Sequence, residues 1–125
     1  MIMELRKTFQ FEAAHFLPHL PTLHKCRRLH GHSFKVEVVV EGECDAKLGW
    51  VMDYAEIADA FKPILEKLDH YHLNEIPGLE NPTSENIAVF CWMGRIWPLH
   101  IAQPRGAKLN GKIRISARKG DDITV

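Results

Sequence analysis

The sequence predicts an α+β domain with a mostly antiparallel sheet. Alternating apolar runs stand near both ends, at residues 4–14, 33–42 and 112–116, and two stretches between them repeat apolar residues at helical spacing. A chain of 125 residues suits one domain with a real core and is short for two, so residues 1–125 are read as a single domain.

The elements follow in order. Residues 4–14 open the domain as a strand. The run SFKVEVVVEG at 33–42 is a stronger one, with Phe34, Val36, Val38 and Val40 on one face and Glu37 keeping the other partly wet. CDAKLGW makes a turn-bearing loop. Asp53 then caps a helix in which Ile57, Phe61, Ile64 or Leu65, and Leu68 recur, and Pro63 is expected to kink it or end its first segment. Residues 69–82 form a polar loop. Thr83 caps a second helix running to about Trp92, its buried side carrying Ile87, Phe90 and Cys91. From Gly94 to Gly111 the period is broken by Pro98, Pro104 and Gly106; KIRIS at 112–116 returns as a short strand before a polar tail.

Composition narrows the function classes. Sixteen basic residues balance sixteen acidic ones, so no global field favours nucleic acid or an anionic membrane. No apolar run approaches the roughly 20 residues of a membrane span, and the charged, alternating N-terminus does not read as a signal peptide. Cys26, Cys44 and Cys91 are an odd number without framework spacing, which points to free thiols in a reducing compartment and a cytoplasmic protein.

The chemistry concentrates in CRRLHGHSF at 26–34. On a strand, His30 and His32 project from the same face and can converge on one point. Gly31 between them leaves room for another backbone to approach. His15 closes the first strand, where a neighbouring edge can deliver a third imidazole. Three histidines with one open position make the catalytic zinc pattern, and neutral ligands leave the ion its full charge. The bland alternative is a polar strand end with solvated histidines. Cys26 stays open between a fourth ligand in a closed zinc site, a base or nucleophile activated by Lys25, Arg27, Arg28 and the metal, and an inert thiol. Cys44 and Cys91 suit the inert reading better. Asp69 beside His70 suggests a carboxylate-oriented imidazole in an acid–base relay, against the plainer role of a histidine at a helix C-terminus. His19, His24, His72 and His100 read as surface residues.

FEAAH at 11–15, CRRLHGHSF at 26–34, GWVMDYAEI at 49–57, LDHYHLN at 68–74 and NPTSENIA at 81–88 together resemble the 6-pyruvoyltetrahydropterin synthase family. The three-residue gap between Cys26 and His30 is similar to its bacterial 6-carboxytetrahydropterin synthase branch, of queuosine biosynthesis. The resemblance implies a tunnelling fold: a four-stranded antiparallel sheet with two helices on one face, closed into trimeric barrels that stack as hexamers, with active sites at subunit interfaces. It implies zinc held by His15, His30 and His32, with Cys26 as general base and Asp69 and His70 completing the relay. The implied reaction converts 7,8-dihydroneopterin triphosphate to 6-carboxy-5,6,7,8-tetrahydropterin, acetaldehyde and triphosphate. Production of 6-pyruvoyltetrahydropterin, or cleavage of sepiapterin-like or dihydroneopterin side chains, is the alternative within the family. One departure stands out: the family's last strand ends in Glu-Thr, the glutamate anchoring the pterin, whereas KIRIS is followed by Ala117 and Arg118. Residues 94–125 otherwise lack family features, which leaves room for a zinc- or pterin-binding protein without catalysis.

Overall fold

A computed structural model describes residues 1–93 and 113–119, the last seven as backbone alone. The order is β1 (Ile2–His15), β2 (His30–Glu43), α1 (Tyr54–Leu68), α2 (Ser84–Met93) and β3 (Ile113–Lys119). Among the described residues the sheet has three strands in the order β1-β2-β3, antiparallel throughout. The α+β class is as expected; a fourth strand is not among these residues, and the stretch from Gly94 to Gly111 lies outside them. β3 runs further than KIRIS, taking in Ala117 and Arg118 opposite Val36 and Lys35, so part of the expected polar tail is strand.

Register decides which face is buried. Phe11 pairs with Phe34, Phe9 with Val36 and Leu5 with Val40, so their apolar side chains share one face of the pleat. The rings of Phe11 and Phe34 stack at 5.1 Å. Both helices cover this face: Ile57, Phe61, Ile64 and Leu68 from α1, and Ile87 and Cys91 from α2, join the strand residues in one core. Phe61 meets Phe9 at a centroid distance of 4.3 Å. The opposite face is polar, and Arg6 reaches Glu4 at 2.6 Å and Glu37 at 2.9 Å across it.

Asp53 caps α1 by accepting the Ala55 N–H at 2.9 Å. Of the two expected effects of Pro63, an end to the first segment does not occur, since α1 continues to Leu68. Pro63 and Asp59, the residue four before it, both lie on the exposed side, while Phe61 and Ile64 stay packed in the core. Thr83 caps α2, its Oγ1 accepting the Asn86 N–H at 3.1 Å. No helix among the described residues is long and apolar enough to cross a membrane.

Candidate metal centre and adjoining cleft

β1 and β2 end together at His15↔His30, and Ala13 lies opposite His32. Odd positions of β1 and even positions of β2 share the core face, so all three imidazoles gather at one end of it. Their ring centroids are 4.7 Å apart for His15–His30, 5.1 Å for His15–His32 and 4.7 Å for His30–His32. One potential ligand atom from each lies within 4.8 Å of the others. The sequence expectation for these residues and the fold meet here: the face that buries Phe11 and Phe34 delivers the histidines, and Phe34 lies edge-on to His15 at 5.3 Å.

Hydrogen bonding orients two of the rings. His15 Nδ1 lies 2.9 Å from the Pro82 carbonyl and His30 Nδ1 lies 2.6 Å from the Arg28 carbonyl. A carbonyl oxygen accepts only, so each Nδ1 carries the proton, which leaves Nε2 as the atom each ring can offer a metal. The Nε2 atoms of His15, His30 and His32 are all buried. Nδ1–H held by a backbone carbonyl with Nε2 directed inward is how metal-ligating histidines are set. Among the described residues no carboxylate joins the group. The donor set therefore fits a zinc ion held by three neutral nitrogens.

Cys26 is not part of that group. It sits half-buried in a short 3-10 turn, Lys25–Arg27, its N–H donating to His24 Nδ1 at 3.0 Å and its carbonyl accepting from Leu17 N–H at 2.8 Å. Arg27 is turned back onto the Leu20 carbonyl at 2.7 Å. Cys91 is wholly buried, and burial pushes its thiol up to about 12.

The Asp–His pair forms beside β1. His70 Nδ1 lies 3.0 Å from Asp69 Oδ1, and the same oxygen accepts the Glu12 N–H at 3.0 Å. That amide bond, with a smaller contribution from His70, holds the Asp69 carboxyl below its usual range against partial burial. His70 has a φ of 62°, a left-handed conformation costing a non-glycine residue on the order of 1–2 kcal/mol. Its N–H donates to the Glu12 carbonyl at 2.6 Å, which pins it there. An open cleft of about 610 Å³ adjoins the pair, lined by Glu12, Ser33, His32, His70 and His72 among others. Both Glu12 oxygens lie 2.7 Å from Ser33 Oγ. Cys26 is not among the residues lining that cleft.

Two expectations need correction. His72 is not a solvated histidine: its side chain is 29% exposed, Nδ1 is 3.3 Å from Glu75 and Nε2 is buried against Phe16's neighbourhood. Gly31 is not needed for a close approach, since a Cβ there would meet the Ala13 carbonyl at an ordinary 3.6 Å. His19 and His24 are exposed as expected, and His100 lies outside the described residues. The Pro82 carbonyl and Asn74 escaped the sequence reading, although both lie in quoted motifs; a backbone acceptor leaves no mark on residue type.

Comparison with known proteins agrees with this geometry. A family profile described as 6-pyruvoyl tetrahydropterin synthase matches residues 4–106. The chain is similar to a 6-carboxy-5,6,7,8-tetrahydropterin synthase of Synechocystis sp., 47% identical over 89 residues, which is 67% of each protein. It is also similar to a dihydroneopterin monophosphate aldolase of Pyrococcus furiosus, 42% identical over 80 residues, 64% of this chain and 63% of that protein. These alignments thus span about two thirds of the relatives' lengths. The solved 6-pyruvoyl tetrahydropterin synthase of Caenorhabditis elegans matches with a TM-score of 0.70 and 26% identity, covering 97% of both chains. A profile matched across most of the sequence, and a fold shared over nearly its whole length, place the chain in the 6-pyruvoyl tetrahydropterin synthase family.

Proposed function

We propose that this chain is a zinc-dependent lyase that converts 7,8-dihydroneopterin triphosphate to 6-carboxy-5,6,7,8-tetrahydropterin, releasing acetaldehyde and triphosphate, within queuosine biosynthesis. The observation that carries the proposal is three clustered imidazoles, two with Nδ1 held by carbonyls, beside a cleft bearing an Asp–His pair. Membership of the family and likeness to the Synechocystis synthase support the substrate class.

His15, His30 and His32 would hold the ion, which when bound supplies a Lewis acid for the hydroxyls of the substrate side chain. Cys26 as thiolate takes a proton from the carbon beside such a hydroxyl. His70, its Nδ1–H held by Asp69, takes a substrate hydroxyl proton at Nε2 and then returns it to the departing fragment. The half-exposed Asp69 remains ionised through this and stabilises the imidazolium that forms. The fold shared with the Caenorhabditis elegans 6-pyruvoyl tetrahydropterin synthase supports a family-type assembly, with the site completed between copies. We read the assembly accordingly as trimeric barrels, with a four-stranded sheet per chain, that stack as a hexamer.

Ala117 and Arg118 favour a second reading. They stand in β3 where the family's Glu-Thr is expected, and they lie beyond the residues the family profile matches. A carboxylate accepting two N–H groups of the pterin ring is a large part of recognition. Without it, a protein that binds zinc or pterin but does not turn over is the competing function. Likeness to the Pyrococcus aldolase adds a third outcome within the family.

Product analysis separates the three. Zinc-loaded chain and dihydroneopterin triphosphate should yield acetaldehyde and triphosphate in equal amounts, and Cys26→Ala should keep its zinc while losing turnover by about 100-fold or more. Glycolaldehyde still carrying its phosphates would indicate the aldolase. No product from folded, zinc-loaded protein would favour the binding reading.

A further inference from the structure

One side chain ties together both supports of His15. Asn74 Oδ1 accepts the Phe16 N–H at 2.9 Å, and its Nδ2 donates to the Phe16 carbonyl at 2.8 Å. The remaining Nδ2 hydrogen reaches the Glu80 carbonyl at 3.3 Å. Both donors and the acceptor of the amide are thus engaged with backbone. Phe16 directly follows His15, and Glu80 opens the segment Glu80–Pro82 whose last carbonyl accepts His15 Nδ1–H at 2.9 Å. The far side of that segment is fixed separately, the Asn81 carbonyl accepting Asn86 Nδ2–H at 2.8 Å and Thr83 N–H at 2.9 Å.

We infer that Asn74 is a positioning residue for the metal site, setting the tautomer and ring direction of His15 by fixing the Phe16 backbone against the Pro82 segment. It touches neither the imidazole nor the ion. The inference rests on His15, His30 and His32 being metal ligands. Leu73 and Leu79, both fully buried, hold the same loop in the core on either side of Asn74. The loop therefore stays docked when the amide is removed, and fold and metal geometry become separable.

Full-length Asn74→Ala and Asn74→Asp are the variants to measure, by zinc competition against a chromogenic chelator and by the visible spectrum of the cobalt-loaded protein. Loss of an outer partner of a metal-ligating histidine weakens metal binding roughly 10–100-fold. Asn74→Ala should fall in that range, with altered cobalt band intensities. Asn74→Asp keeps the acceptor for Phe16 N–H but loses both donors, so it should lie between Ala and the parent; it carries the test if Asn74→Ala does not fold. Asp53→Ala, which removes the α1 cap, should lower Tm and leave zinc affinity and the cobalt spectrum unchanged. Both Asn74 variants binding zinc within twofold of the parent, with unchanged spectra, would overturn the inference. So would Asp53→Ala weakening zinc as much as Asn74→Ala. A parent chain that takes up neither metal would instead sink the reading of the histidines themselves.

Discussion

His15 shows how much a single residue is asked to satisfy: it is wholly buried, edge-on to Phe34 and hydrogen-bonded to the Pro82 carbonyl. A buried imidazole of this kind is stable only when its polar atoms are served. The H-x-H spacing was legible in the sequence because strand geometry puts i and i+2 on one face. His15 was legible as the end of a neighbouring strand. The partner of its Nδ1 was not, since any residue supplies a carbonyl. Asp69 gives a residue-scale prediction. Its carboxyl is held below the ordinary value of 3.8, chiefly by the Glu12 amide. The folded state therefore favours the carboxylate, and this stabilisation is fully present above the unfolded value, about pH 4. It is lost as pH falls through the lowered folded value. Asp69→Asn removes it, so the Tm gap between parent and variant should be constant near neutral pH and narrow below about pH 4. A gap that stays constant down to pH 2 would remove the bond from the account.

Among the elements, β2 was legible because Phe34, Val36, Val38 and Val40 recur at every second position in a β-branched run; all four are fully buried. The true strand starts earlier, at His30, and this is what makes HGH part of the ladder. α1 was legible from its cap and period, and Pro63 does not end it. Proline removes one hydrogen bond, and the apolar contacts of Phe61 and Ile64 outweigh that loss when it falls on the exposed side. The loop after α1 hid Leu73 and Leu79 among polar neighbours, and with them the rigid frame around the site. Phe61 links α1 to β1, stacking near Phe9. Phe61→Ala should cost about 3–5 kcal/mol in urea unfolding. A loss below about 1 kcal/mol would mean that α1 does not cover the sheet as described.

For the whole molecule, the sheet places chemistry at one end of its buried face and polar groups on the other. Charge balance gives no global field that would favour nucleic acid, as sixteen basic residues face sixteen acidic ones. Assembly was not legible from periodicity, because open strand edges look alike whether solvent or another copy meets them. The central claim is an open three-histidine metal site rather than a closed one sealed by Cys26. Zinc X-ray absorption on the full-length, zinc-loaded protein tests it most directly. The account predicts a first shell of nitrogen and oxygen at about 2.0–2.1 Å with no sulfur. A zinc–sulfur shell at about 2.3 Å would contradict it, making the site structural and removing the base from the proposed reaction.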